Sequence, residues 1–366
     1  MFVRAPNGNR FALCYSMNVH PGEGISDVIC AIDEYVVPLK ERLGVTGEFA
    51  VGLRLAARAG EESERVGELA ACLAAHELVP VTVNAFPFGD FHGARVKEDV
   101  YAPDWTSAER VAYTIGVAEI LARLNEPGSV VSLSTVPLSF KPWKADLGAA
   151  TTRLLETAEA LRKIELLTRV RVQVALEPEP FCTLETAAEM VAYWTDGLRP
   201  AASDPRLLDY LGVCPDTCHH AVRWESGADA IDRYRAAGIP IPKIQLSSAL
   251  EADRMEDLAP FAEPRYLHQV VGRDGGDLLD LGTDGEAPQG TLRCHFHVPV
   301  HKETIGACRT TRSEMDAALD RAIETGATQC LEIETYTWDV NPLRERELLD
   351  SLEEEYRYVL GRIGQA

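Results

Sequence analysis

LGVCPDTCHHAV, residues 211–222, opens as a short apolar run and breaks at Pro215, so that Asp216, His219 and His220 fall where a buried strand would end. An acid and an imidazole delivered there are what α/β folds present at the carboxyl edge of a parallel sheet, where their chemistry collects. The same kind of ending recurs along the chain. LEPEP at 176–180, IQLSS at 244–248, CHFHVPVH at 294–301 and LEIETYTW at 331–338 each carry an apolar run into acids, amides, hydroxyls or imidazoles.

Outward from this stretch, eight short apolar or β-branched runs read as strands, at 12–17, 49–55, 80–85, 130–136, 170–176, 211–214, 243–246 and 329–333. Amphipathic spacing predicts helices at 26–42, 63–77, 107–124, 147–167, 184–198, 228–237, 251–262 and 343–363, with an extra helix at 315–325. Eight β/α units without a Gly/Pro/Ser-rich linker predict an α/β fold, a closed (β/α)8 TIM barrel forming a single domain over 1–366. An open doubly wound sheet is the competing reading. No G-x-G-x-x-G follows the first strand and no phosphate-cradling P-loop occurs, so that competitor has no motif behind it.

Two connections are too long for a minimal barrel. Residues 84–105, NAFPFGDFHGARVKEDVYAPDW, follow the third strand and are rich in aromatics and glycine. About 264–310, after the seventh strand, holds an acidic glycine-rich tip and then the strand-like CHFHVPVH. Both are expected over the barrel mouth, because barrel function is built on the loops that follow strands.

Composition narrows the class. With 46% hydrophobic residues and 25% charged, the chain buries a sizeable core. Its 57 acidic against 36 basic residues leave a net charge of −21, which repels nucleic-acid backbones and anionic membranes. The chain has neither an apolar run near the ~20 residues of a membrane span nor a signal-peptide core at its start, so direct membrane insertion is not expected and a cytoplasmic location is. Nine scattered cysteines without a C-x-x-C pair read as reduced core thiols.

The candidate site residues come from the strand ends. Glu177 closes the fifth run, and Pro178 prevents the ladder from continuing. Such a carboxylate is costly to bury unless it is paired or bound to a cation, a salt bridge being the plainer alternative. Glu179, two residues on, reads as loop. Glu332 and Glu334 share a face by strand alternation; Glu334, nearer the carboxyl end, is the ligand candidate, with Glu332 one layer deeper. Gln245 is either a core hydrogen-bonding group or an amide oxygen suited to Mg²⁺ or Mn²⁺. His295 and His297 share a strand face and, with His219, are candidates for a second metal or for substrate. Tyr336, Trp338, Phe88 and His92 are expected to wall the pocket.

Glu177, Asp216, Gln245 and Glu334 on four successive strand ends, with His219 three residues after the acid, resemble the xylose isomerase-like barrel superfamily of sugar isomerases, ketose epimerases, hydroxypyruvate isomerases and endonuclease IV. The resemblance implies that these four residues hold a divalent metal. GVCPDTCH is close to the endonuclease IV form of the sixth-strand motif, whereas Gln245 follows the hydroxypyruvate isomerase pattern. Over most of the chain, NVHPGE, NAFPFGDFHG, VYAPDWTS, CHFHVP and ETYTW resemble the EboE family of bacterial proteins described as taking part in metabolite traffic. Together these imply a metal-dependent isomerase or epimerase acting on a sugar, cyclitol or related polyol in an export pathway, with Glu177 and Glu334 exchanging protons at carbon. Mn²⁺ or Mg²⁺ suits an oxygen-rich shell; histidine ligands would favour Zn²⁺. The alternatives are a metal-dependent hydrolase or phosphoesterase of endonuclease IV type, and a non-catalytic metabolite carrier.

Overall fold

The computed structural model describes every residue except Asp90, Ala94 and Ala366. Eight parallel strands form the barrel: β1 (Arg10–Tyr15), β2 (Phe49–Arg54), β3 (Leu78–Asn84), β4 (Val130–Thr135), β5 (Arg171–Leu176), β6 (Leu211–Val213), β7 (Ile244–Leu246) and β8 (Cys330–Ile333). Ladders join β2 through β6 in order, and β7 to β8 to β1. Single parallel bridges, Ser16↔Gly52 and Asp216↔Gln245, close the two remaining seams. All eight strands lie where the apolar runs predict them. A hairpin strand, Phe2–Arg4, pairs antiparallel with β1.

Glycine at position 52 makes one of those seams possible. A Cβ there would lie 2.0 Å from Glu332 Oε1 and 2.9 Å from the Tyr15 carbonyl. Glu332 occupies this space as half of a fully buried ion pair, with Lys243 Nζ 2.5 Å from its Oε2. Burial opposes the Lys243 charge, but Glu332, Cys214 and Glu177 around it raise its pKa above the ordinary lysine value.

The region after β7 differs from the sequence reading. The helix expected at 251–262 opens instead as a strand, Ser248–Ala252, followed by a short helix, Met255–Leu258. That strand pairs antiparallel with Leu292–Val298, the strand containing CHFHV, in a six-stranded sheet that runs on to Val270–Gly272 on one side and Cys308–Thr310 on the other. A partner forty residues away overrides local helical spacing, which is the usual way propensity loses to tertiary pairing. The inserted segment therefore starts at the end of β7 rather than near residue 264. It has a cluster of its own around Leu250, Phe261, Phe296 and Val298. The helix Arg312–Thr325, expected as an extra, is the barrel helix that returns from β7 to β8, packing against Gly227–Ala236 and Leu348–Gln365.

The two long connections are fastened to one another. The amides of Val96 and Lys97 both donate to the Arg265 carbonyl at 2.8 Å. Lys97 Nζ donates to the Glu263 and Tyr266 carbonyls at 2.9 and 2.6 Å and lies 2.6 Å from Asp280 Oδ2.

Removing one partner of a buried ion pair strands the other charge, at a cost of about 3–5 kcal/mol. Lys243→Met should lower unfolding stability by that amount in urea titrations, and Lys243→Met combined with Glu332→Gln should recover part of it. Equal losses in the single and double variants would mean the pair contributes nothing as a pair.

A candidate metal centre at the barrel mouth

Three carboxylates from three strand ends meet at the mouth. Glu177 follows β5, Asp216 follows β6 and Glu334 follows β8; all are buried, and one oxygen from each lies within 4.8 Å of the others. Asp216 also plays the plain structural part of a helix cap. Its Oδ1 accepts from the His219 amide at 2.9 Å and from Ser247 Oγ at 2.7 Å, while Oδ2 has no partner. Glu177 Oε2 is likewise buried without a partner. Glu334 Oε1 accepts from Asn18 Nδ2 and Asn84 Nδ2, each at 3.1 Å, and from Ser16 Oγ at 3.4 Å.

Burial pushes Glu177 and Glu334 well above the ordinary carboxylate range, and the neighbouring acids push them further. Burial alone would raise Asp216 too, but His219 and His297, with the Ser247 and His219-amide hydrogen bonds, hold it below its usual value. Three carboxylates packed in this way repel one another unless they take up protons or share a cation.

A second cluster abuts the first. His219, from the helix after β6, and His295 and His297, from the inserted strand, turn their Nε2 atoms toward one another, 3.1 Å between His219 and His295 and 3.2 Å between His295 and His297. Each Nδ1 instead faces an oxygen: Pro178 O at 3.0 Å, Gln269 Oε1 at 2.6 Å and Glu334 O at 3.1 Å. Gln269 is fixed in that sense because its Nε2 donates to Tyr101 Oη and the Pro180 carbonyl. Oxygen acceptors at Nδ1 put the proton there, so in neutral rings three Nε2 lone pairs converge. Such second-layer carbonyls are how proteins orient imidazole ligands. Burial lowers the pKa of all three, that of His219 to about 4, so protonation does not relieve the crowding near neutrality. Asp216, His219 and His297 offer atoms within 4.8 Å of one another, as do Glu179, His219 and His295. Orphaned carboxylate oxygens beside convergent imidazole lone pairs fit a divalent cation, and the donor set is large enough for two.

The other predicted residues divide. Gln245 stands at the β6–β7 seam beside Asp216, but its Oε1 accepts from Cys214 Sγ at 3.2 Å and its Nε2 has no partner. Only a half-turn of the amide would turn the oxygen away from the thiol. Tyr336 lines the cavity above the centre together with Phe86 and Phe91. Phe88 instead lies outside the cavity and packs edge-on against Tyr113. Trp338 lies beneath Arg344, outside the cavity. His92 supports the wall from behind, with Nε2 at 2.7 Å from the Asn18 carbonyl and Nδ1 at 3.2 Å from Tyr266 Oη.

Residues not anticipated from the sequence also take part. Glu179, read as loop, is buried in the cavity wall with its Oε1 accepting from Tyr101 Oη at 2.7 Å. Burial lifts it to about 8. Asn84 ends β3 as Glu334 follows β8, so the strand-end criterion applied to amides as well as acids would have found it. Nothing local marks Gln269 or Asn18.

Neither a protein-family model nor a curated protein matches the sequence. Solved structures do share the fold. They include the IolI protein with a bound zinc atom (TM-score 0.56, 13% identity, covering 97% of this chain and 100% of that one). A D-psicose 3-epimerase crystallised in the presence of D-fructose scores 0.51 at 15% identity, covering 96% and 97%. A xylose isomerase domain-containing protein from Salmonella typhimurium scores 0.51 at 14%, covering 96% and 97%. The chain has the xylose isomerase-like TIM-barrel fold.

The titrations set a pH dependence for the metal-free protein. Glu177, Glu179 and Glu334 hold their protons in the folded state above the pH at which the unfolded chain loses them, so stability falls as pH rises from about 4.5 toward their folded values, by about 1.4 kcal/mol per pH unit for each group in that window. The histidines act oppositely, but their contribution is complete by about pH 6.5. Between pH 6.5 and 8 the Tm of chelator-treated protein should therefore fall, and the rise in Tm on adding Mn²⁺ or Zn²⁺ should be larger at pH 8 than at pH 6.5. A metal effect that shrinks with pH would show that these carboxylates are not where the ion binds.

Proposed function

We propose that the protein is a metal-dependent isomerase or epimerase that moves a proton at a carbon next to a carbonyl in a sugar, cyclitol or related polyol. The observation that carries this reading is the convergence of Glu177, Asp216 and Glu334, with Glu177 Oε2 and Asp216 Oδ2 buried and unpartnered. Gln245 completes the proposed set of metal residues once its amide is turned. Mn²⁺ or Mg²⁺ suits this oxygen-rich set, and Zn²⁺ suits the group formed by His219, His295 and His297. A divalent ion held there supplies positive charge to offset the negative charge that develops on two adjacent substrate oxygens.

The protein's own groups do the rest. Glu177 takes a proton from carbon through an oxygen that spends no hydrogen bond elsewhere in the protein. Glu334 returns one, its Oε1 fixed in place by Asn18 and Asn84. With the two acids on different strand ends, removal on one face and return on the other inverts the carbon, while return by the same group to the adjacent carbon, with a proton passing from one oxygen to the other, moves the carbonyl. In either case the substrate is neither oxidised nor reduced overall. Solved neighbours named as sugar epimerases support this class. The EboE-like motifs NVHPGE, NAFPFGDFHG and ETYTW support a place in bacterial metabolite export.

The imidazole cluster favours a second reading, a zinc hydrolase of endonuclease IV type. Against its DNA-cleaving form stands the net charge of −21.

The discriminating measurement is proton exchange. Metal-loaded protein incubated in D₂O with a panel of ketoses, inososes and their alkyl- and aryl-substituted derivatives should place deuterium at a carbon beside a carbonyl in at least one of them. Glu177→Gln and Glu334→Gln should slow this at least a hundredfold, and Asp216→Asn should lose metal. Phosphate-ester hydrolysis without exchange would replace this reading with the hydrolase. His295→Ala should remove one equivalent of Zn²⁺ and leave Mn²⁺ binding in place.

A further inference from the structure

The cavity above the metal centre is divided by polarity. Glu177, Glu179, Glu334, His219 and His295 form its polar floor, whereas Phe86, Phe91, Val96, Val100 and Leu267, whose side chains carry no polar atom, form much of the wall contributed by the two long connections, with Tyr336 beside them. Most polar side chains of the lining are already engaged; the exceptions, Asn18 Oδ1 without a partner and Tyr336 Oη 3.5 Å from His295 Nε2, belong to residues in contact with the floor groups Glu334 and His295. Tyr101 Oη donates to Glu179 and accepts from Gln269. Tyr266 Oη is bonded to His92, and all three Lys97 contacts go to Glu263, Tyr266 and Asp280. Among the described lining residues no other cation is present. Two divalent ions on the floor would be balanced by the four carboxyl groups of Glu177, Glu179, Asp216 and Glu334, so the ions leave no surplus positive charge for an anionic substrate.

From this division we propose, building on the isomerase reading, that the substrate is an uncharged, two-ended molecule: a hydroxy-carbonyl head that lies on the floor, and an apolar substituent that fills the upper cavity. A free sugar with hydroxyls along its whole length would bring several of them against a wall that offers few partners beyond spare tyrosine lone pairs, and a buried hydroxyl without a partner is penalised where an alkyl or aryl group is favoured. A sugar phosphate would bring a charge to the same wall. Head recognition and tail recognition are thus separate in the protein: strand-end acids and imidazoles fix the head, and the 84–105 segment with Leu267 selects the tail.

Three hydroxamates test this, since they share two adjacent oxygens that chelate a metal and differ only in the tail: benzohydroxamate (aryl), erythronohydroxamate (three hydroxyls) and succinic monohydroxamate (a carboxylate). Calorimetric titration of the full-length Mn²⁺-loaded protein should give a Kd for benzohydroxamate at least tenfold lower than for erythronohydroxamate, with the succinic compound weakest. Val100→Thr, nearly isosteric, and Leu267→Asn should each narrow the first gap by threefold or more while leaving Mn²⁺ affinity unchanged. If erythronohydroxamate or the succinic compound binds as tightly as benzohydroxamate to the wild type, the two-ended substrate is overturned while the isomerase reading stands. If none of the three binds to protein shown to hold Mn²⁺, the ion is not accessible to substrate oxygens and both proposals fall.

Discussion

The buried contact between Lys243 and Glu332 is the charge against which the rest of the mouth is set. It lies one layer beneath Glu334, in the register where β7 and β8 pair, and its cation bears on Glu177 and Glu334 as well as on Glu332. Without it the barrel would hold Glu332 as a lone anion directly under three more carboxylates. With it, the lower layer is close to neutral, and the crowding of like charge is confined to the layer open to the cavity. That confinement suits a metal site: repulsion is kept where an ion can relieve it and removed where none could reach.

The barrel and the histidine cluster come from different parts of the chain. The three carboxylates follow barrel strands, whereas two of the three imidazoles sit on a strand that belongs to a separate antiparallel sheet. That sheet packs on the helix Thr217–Val222 through Cys218, Val222, Ala249 and Val271. His219 lies on the same helix, so one short element that begins at Asp216 belongs to both clusters. The helix cap and the proposed metal donor are the same side chain.

Much of this was legible in the sequence because the informative residues interrupt apolar runs. Glu177, Asp216 and Glu334 each stand where a buried strand stops, and a charge at such a point has few physical explanations. The alternation in CHFHV placed His295 and His297 on one face. What was not legible depends on partners far away in the chain. The strand at Ser248–Ala252 has helical spacing until Leu292–Val298 pairs with it. The direction of Phe88 goes with Tyr113, against which it packs from the following helix, and the importance of Glu179 depends on Tyr101, seventy-eight residues earlier. Gln245 is read in the seventh run and stands in β7, but its place at the β6–β7 seam and the Cys214 thiol that occupies its oxygen are not legible from either residue alone.

The bond set around Lys97 has a kinetic side. Five contacts tie the 84–105 segment to the stretch from Glu263 to Asp280, so the two halves of the roof cannot swing apart independently. Opening the chamber to bulk water means breaking that set in one cooperative event or passing molecules through a gap that stays narrow. A fastened roof of this kind ties access to the chamber to the breaking of several contacts at once, so that entry and exit are coupled to one structural event.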